Sequence, residues 1–260
     1  MESWKQGSEP TAAENPGLRE TVVAFFGDLL GRIPGRDAPR PGGRPFVTVT
    51  YAQSLDGSIA GRNREQLRLS GEASMCLTHH LRAAHDTILV GIGTVIADDP
   101  RLTVRQAPGA DPQPVVLDTR FRTPGTCRLL RNPALRPWIM GGDPAAADRA
   151  GALSAAGAVA TLVETADDRR VHLPSVLRLL SERGVARLMV EGGARVITSF
   201  VKARLVDQFV ITIAPRMVGG LPVLERDAFP EPPLRAFSNL TYRQLGPDLV
   251  IWATPEWTDP

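Results

Sequence analysis

Two cysteines, Cys76 and Cys127, stand far apart with no paired spacing, so neither a disulfide framework nor a cysteine-based metal site is expected. No uninterrupted apolar run approaches the roughly 20 residues that a membrane-spanning helix needs. Charge of either sign is scarce in excess: the formal net charge is +2 over 260 residues. The charges are dispersed, so an isoelectric point near 8.8 is no footprint for nucleic acid. The first residues, Met1-Glu2-Ser3-Trp4-Lys5-Gln6, lack the basic-then-apolar order of a secretory signal. The expectation is a cytoplasmic protein with no membrane or nucleic-acid partner.

Familiar catalytic signatures are missing as well. The chain has no Gly-Lys-Ser/Thr phosphate loop, no His-Glu-x-x-His, no Gly-x-Ser-x-Gly and no zinc-deaminase pattern. Gly91-Ile92-Gly93-Thr94 follows an apolar strand, but the third glycine of a Rossmann fingerprint would fall at Ile96, so that pattern fails. The histidines, His79, His80, His85 and His172, do not cluster with carboxylates, and no metal site is expected. His79 and His80 are expected on the polar side of a helix.

What is present is an ordinary globular composition, 43% hydrophobic and 22% charged, long enough for one large domain or two small ones. Residues 1–16 are polar and expected to be disordered. Leu18, Val22, Phe25, Phe26, Leu29 and Leu30 recur at helical spacing between Gly17 and Leu30. A linker from Gly31 to Pro45 follows, rich in Gly and Pro and carrying Arg32, Arg36, Arg40 and Arg44. The division expected is an N-terminal extension, residues 1–43, whose helix packs on the main body or a partner subunit, and a domain of residues 44–260.

Within that domain strands are expected at 46–53, 58–62, 87–91, 114–117, 137–140, 158–163, 187–191 and 208–214. Helices are expected at 70–85 with Ser70 as cap, 144–156, 174–183 with Gly184 beyond its end, and 194–204. A closing hairpin, 241–245 and 249–253, turns through Gly246-Pro247-Asp248. Strands alternating with helices before an antiparallel end give the α/β class, a three-layer αβα domain on a central mixed, mostly parallel sheet.

Three segments carry chemistry. Strand 187–190 runs into Glu191, then Gly192-Gly193, then an amphipathic helix. That unit presents unpaired backbone N–H groups to a phosphate, with the helix dipole adding positive charge. Any α/β protein can also make such a turn for packing alone. Thr94 to Arg105 follows another strand end and is read as a loop; its hydroxyls, acids and arginines suit ribose hydroxyls and a phosphate, or equally a solvated turn at Asp98-Asp99-Pro100. Tyr51-Ala-Gln-Ser-Leu-Asp-Gly-Ser-Ile-Ala60 places Asp56 at a strand-end turn.

Taken together, Ser54-Leu-Asp-Gly57, Leu81-Arg-Ala83, the run from Gly93 to Arg105, Val116-Leu-Asp-Thr119 and Val190-Glu-Gly-Gly193 resemble the RibD C-terminal family, the reductases of riboflavin biosynthesis. Leu205-Val-Asp207, Ile213-Ala-Pro215 and Gly219-Gly220 extend the match over roughly residues 44–254, in the family's order. The stretch from Thr48 to Asp56 looks closest to the stand-alone fungal and archaeal type. Bacterial bifunctional members commonly have lysine where this chain has Thr50, which leaves the aminated and the deaminated pyrimidine both open as substrate.

The resemblance implies a dihydrofolate-reductase-like fold, NADPH as hydride donor, and reduction of a ribosylamino-pyrimidine 5′-phosphate to its ribitylamino form. By position it puts Thr94, Asp98 and Thr119 on the cofactor, with Gly192, Gly193, Ala194, Arg195 and Val196 around its pyrophosphate. Arg82, Leu102, Arg105 and Glu191 fall to the substrate, and Asp56 with Glu191 are the candidate catalytic or orienting acids. Family members are typically dimeric, and Leu205-Val206 with the strand 209–213 offers interface material or an ordinary core strand. A same-fold reductase of another pterin- or pyrimidine-like substrate, or a non-catalytic NADPH-binding protein, would use much the same residues.

Overall fold

The computed structural model describes residues 16–38, 41–225 and 228–258. Apart from Pro16, the N-terminal stretch read as disordered lies outside them. In chain order the strands are β1 (Phe46–Ser54), β2 (Ser58–Ala60), β3 (Thr87–Gly91), β4 (Gln113–Leu117), β5 (Trp138–Gly141), β6 (Val159–Leu162), β7 (Arg187–Val190), β8 (Gln208–Ala214), β9 (Leu221–Pro222), β10 (Leu234–Leu245) and β11 (Asp248–Trp257). The helices are α1 (Pro16–Leu30), α2 (Glu72–Ala84), α3 (Ile92–Asp98), α4 (Ala147–Ala155), α5 (Leu173–Glu182) and α6 (Ala194–Lys202).

Nine strands form one sheet in the order β10-β11-β8-β1-β7-β3-β4-β5-β6. Every pairing from β8 across to β6 is parallel, while β11 runs antiparallel to β8 and β10 antiparallel to β11. The period-2 alternation of strand side chains separates two cores. Ile88, Val90, Val116, Ile139 and Met189 pack on one face with α1, α2 and α3. Leu89, Val115, Met140, Leu188 and Val190 pack on the other with α5 and α6. Near-continuous apolar strands are what a sheet covered on both faces requires, and the expected three-layer arrangement is the observed one.

Helix α1 is part of the first core through Val22, Phe25 and Leu29, all 1% exposed or less. The segment after it is stapled to the body by its arginines. Arg32 donates to the Asn239 carbonyl and to Thr241 Oγ1, both at 2.7 Å. Arg36 meets Asp86 at 2.9 Å, and Arg44 forms a two-pronged pair with Asp207 at 2.6 and 2.8 Å. Arg40 lies outside the described residues.

Several local expectations need correction. Ser70 does not cap α2: the N-cap is Gly71, whose N–H donates to Asp248 Oδ2 at 2.8 Å from the turn of the final hairpin. Residues 94–98, the start of the stretch from Thr94 to Arg105 read as loop, belong to α3, which ends at Asp99 in the left-handed region with φ 40°. Strand β2 is shorter than expected and pairs with β9 outside the main sheet, whereas β10 and β11 reach well beyond the short hairpin expected. His79 and His80 are buried, 0% and 7% exposed. Helix α2 has no free polar face there, because Phe26 of α1 lies over His80 with ring centroids 5.2 Å apart.

Candidate active site

The carboxyl ends of β1, β7, β3 and β4 open into a cleft of about 2070 Å³, larger than a drug-sized pocket and roomy enough for a dinucleotide with a second ligand beside it. Open α/β sheets bind ligands at this edge. Thr50, Tyr51 and Ala52 of β1 line it together with Glu191, the start of α6 and α3, and α6 and α3 meet where a Cβ on Gly193 would stand 3.5 Å from Thr94 Oγ1. Among the sequence-derived site residues, Thr94, Asp98, Arg105, Thr119, Glu191, Gly192, Gly193, Ala194, Arg195 and Val196 all line this one cleft.

The turn between β7 and α6 is shaped by two different uses of glycine. A Cβ on Gly192 would fall 2.7 Å from Val196 Cβ, and one on Gly91 would fall 2.7 Å from Val196 Cγ2. Both glycines therefore let α6 pack down on the end of β3, with Val196 as the contact. Gly193 is different. Its Cβ would meet only Thr94 Oγ1, at 3.5 Å, so the backbone there is bare toward the cleft. Gly193 is also the N-cap of α6. The N–H groups of Ala194 and Arg195, in the first helical turn, have no intrahelical acceptor and a dipole behind them. The Val196 N–H is already spent on the Gly193 carbonyl at 3.0 Å, so of the five residues at this turn Val196 contributes packing.

Helix α3 places Thr94 and Asp98 four residues apart, hence on one face, and both meet the cleft. Burial, and secondarily the charge of Glu191, raise the Asp98 pKa above the ordinary carboxylate value. Tyr51 is pushed up to about 12 by burial and keeps its phenolic proton.

Arg82 and Leu102 do not line the cleft; both are buried, at 6% and 2% exposure. Arg82 donates through Nε and Nη2 to the two Glu191 oxygens, at 3.0 and 2.6 Å, and through Nη1 to the Thr103 carbonyl at 3.1 Å. It acts on the cleft through Glu191 and the 103–105 backbone. Leu102 anchors that backbone from below, in the left-handed region at φ 55°.

Asp56 is exposed and stands outside the cleft lining. Its carboxylate accepts from Ser54 Oγ at 2.5 Å, Ser58 Oγ at 2.9 Å, and the Val218 and Gly219 N–H groups at 2.9 and 2.7 Å. The Ser54 hydrogen bond and the two backbone N–H groups hold its pKa far below the ordinary range. It is an ionised clamp tying the β1–β2 turn to the 218–219 wall, ill suited to donate a proton.

Sequence reading missed the basic residues of the cleft. Arg120 and Arg122 follow Thr119, and Arg169, Arg170, Arg62, Arg64 and Arg68 line the cleft as well. The only signal for the first pair was their position directly after a strand end. Among the described residues no group of His, Cys, Asp and Glu could hold a metal ion, and no helix is long and apolar enough to cross a membrane.

The model of the RibD C-terminal domain matches residues 45–251. Over 187 residues the chain is 42% identical to the 2,5-diamino-6-ribosylamino-4(3H)-pyrimidinone 5′-phosphate reductase of Archaeoglobus fulgidus, covering 68% of this chain and 83% of that protein. It is 37% identical to riboflavin biosynthesis protein RibD of Bacillus amyloliquefaciens over 82% of this chain, but spans only 58% of that longer protein. Among solved structures, the riboflavin biosynthesis reductase of Saccharomyces cerevisiae superposes with a TM-score of 0.67 at 26% identity, over 87% of this chain and 97% of that one. The domain match spans β1 to β11, from the cleft lining to the closing hairpin, and on it the chain belongs to the RibD C-terminal domain family.

Proposed function

We propose that this chain is an NADPH-dependent reductase that converts 2,5-diamino-6-ribosylamino-4(3H)-pyrimidinone 5′-phosphate to its ribitylamino form in riboflavin biosynthesis. One observation carries the reading: a bare Gly193 backbone at a helix N-terminus and an Arg82-anchored Glu191 beside Arg105 open into the same cleft. The first suits the pyrophosphate of a dinucleotide, the second a phosphorylated, hydroxyl-rich partner.

The residues present fit such a cofactor. Gly193, Ala194 and Arg195 would hold its pyrophosphate, Thr94 and Asp98 its nicotinamide side, and Thr119 with Arg120 and Arg122 its adenosine end, where the guanidinium groups suit a 2′-phosphate. Bound NADPH supplies the hydride, so the protein needs no nucleophile of its own. Its work is positioning. Glu191, immobilised by Arg82, accepts from the sugar hydroxyls or the ring amino groups and orients the opened sugar carbon. Arg105 pairs with the 5′-phosphate. Asp98, whose proton affinity is raised, is placed to hand on a proton as the sugar ring opens. Thr50 adds a small neutral hydroxyl to the cleft, and the Archaeoglobus fulgidus relative is named for the diamino pyrimidinone; both favour the aminated substrate.

Purified protein given NADPH and each pyrimidine in turn tests this. Oxidation with the 2,5-diamino compound, faster than with its deaminated counterpart, is the expected result. No oxidation with either overturns the reductase reading.

The homodimer is part of the same proposal, but with a different surface from the one first considered. Strand β8 lies between β1 and β11 and is paired on both sides, so residues 209–213 are internal to the sheet. One edge of the sheet is β10, which exposes Phe237 (41%), Leu240 (54%) and Tyr242 (67%). A long edge strand with apolar side chains needs cover. Light scattering at micromolar concentration should give a dimer mass, and Leu240→Lys should halve it.

A further inference from the structure

The loop from Asp99 to Gln106 carries Arg105 to the cleft, and its backbone is unusually constrained. Asp99 and Leu102, neither of them glycine, sit at φ 40° and 55°. Such residues persist only where their surroundings hold them. Three residues on one face of α2, spaced three apart, do the holding. Arg82 donates to the Thr103 carbonyl at 3.1 Å, His79 Nδ1 receives the Arg105 N–H at 3.1 Å, and Cys76 Sγ donates to the Gln106 carbonyl at 3.4 Å. The loop thus runs down the helix in reverse, one grip per turn.

We propose that His79 is the positioning residue for Arg105: its neutral imidazole, with Nδ1 bare, accepts the Arg105 backbone N–H and sets where that guanidinium enters the cleft. This rests on the reading of Arg105 as the substrate-phosphate ligand. His79 itself is fully buried and touches no substrate. A donor N–H can pair only with an unprotonated Nδ1. An imidazolium would set N–H against N–H and add a third positive charge between Arg82 and Arg105.

The surroundings enforce the neutral form. Burial, then the charges of Arg82 on the same helix and Arg105 on the loop, hold the His79 pKa down to about 4; His80 acts weakly in the same direction. The Thr103 carbonyl alone favours the proton, and the buried Nε2 has no hydrogen-bond partner.

Two measurements test the assignment. Nitrogen-15 NMR of the full chain at pH 7 should show His79 with Nδ1 unprotonated, and the Arg105 amide should exchange with solvent about tenfold faster in His79→Leu and His79→Gln but not in His79→Asn. Asparagine keeps an acceptor where Nδ1 stood; glutamine moves it. In steady-state kinetics, Leu and Gln should raise the pyrimidine phosphate KM about tenfold or more, with kcat within about threefold and NADPH affinity unchanged, while Asn restores KM. The wild-type KM should climb as pH approaches about 4, and this limb should vanish in His79→Asn.

A protonated Nδ1 at pH 7, an unchanged KM in His79→Leu, or Asn no better than Gln overturns the proposal. Should His79→Leu fail to fold, the Asn and Gln pair decides. No turnover by the wild-type protein would sink the reductase reading instead, and the amide-exchange comparison would still decide His79.

Discussion

Arg82 and Glu191, 109 residues apart in the chain, meet through two parallel hydrogen bonds of 3.0 and 2.6 Å, with the arginine buried and the carboxylate facing the cleft. A planar guanidinium fixes both carboxylate oxygens at once, which an ammonium cannot do. Arg82→Lys therefore keeps the charge and loses the orientation. The expected result is a drop of about tenfold or more in kcat/KM for the pyrimidine, with NADPH affinity within about threefold of wild type. Stability should fall by about 1–3 kcal/mol, below the full cost of breaking a buried pair because Glu191 is part-exposed. Parallel titrations of both ligands, with urea unfolding, separate the effects.

The two glycines after Glu191 should separate folding from binding. Gly192→Ala forces a methyl group against Val196 at 2.7–2.8 Å, and overpacking of that kind costs about 1–3 kcal/mol. Gly193→Ala meets only Thr94 Oγ1 at 3.5 Å, so its melting temperature should stay near wild type. Its NADPH affinity should nevertheless fall about tenfold, because the methyl group occupies the closest approach for a pyrophosphate. Equal cofactor binding by Gly193→Ala and wild type would remove the pyrophosphate from this turn.

Acid stability should track His85. This ring is 3% exposed, contacts the Leu81 carbonyl at 2.7 Å and Thr48 Oγ1 at 2.9 Å, and its pKa is brought down from 6.5 to about 4, chiefly by burial. Between those two values the unfolded chain binds a proton that the folded one refuses. Stability is thus full above about pH 6.5 and falls by about 3 kcal/mol as pH approaches 4. His79 pulls the same way. Urea titrations from pH 7.5 to 4.5 should show the loss, and His85→Gln should lower the slope by one proton. A flat profile would mean that the ring is charged or open to solvent.

What could be read in the sequence was whatever depends on local periodicity. The near-continuous apolar runs in 87–91, 114–117 and 187–190 announce a doubly covered parallel sheet, and the strand–Gly-Gly–helix order at 187–202 announces a glycine turn into a helix N-terminus. Contacts closed over long separations could not be read. Asp248 caps α2 in place of Ser70 because the hairpin turn, not the local hydroxyl, reaches the Gly71 N–H. His79 and His80 looked solvent-facing because helical periodicity identifies the face toward the sheet but not a second cover from α1 and the 103–106 loop. Asp56 looked catalytic because an acid at a strand-end turn does not show that four hydrogen bonds already use it.

Arg105 gives the most direct test of how the cleft is divided. Its guanidinium donates to Thr103 Oγ1 at 2.9 Å and reaches the cleft lining from an exposed position. Desolvation, with Arg82 and Arg101 nearby, lowers its pKa, against partial relief from Glu191 and Asp111. Arg105→Ala removes the guanidinium without disturbing the backbone N–H held by His79. The expected loss is about 2 kcal/mol in kcat/KM, roughly thirtyfold, falling on the pyrimidine phosphate and shrinking at high salt. NADPH affinity should hardly change. Measuring both constants in low and high salt decides the matter: if Arg105→Ala weakens NADPH while sparing the pyrimidine, the loop serves the cofactor, and the substrate phosphate must be sought at other arginines of the cleft, Arg62, Arg64 and Arg68.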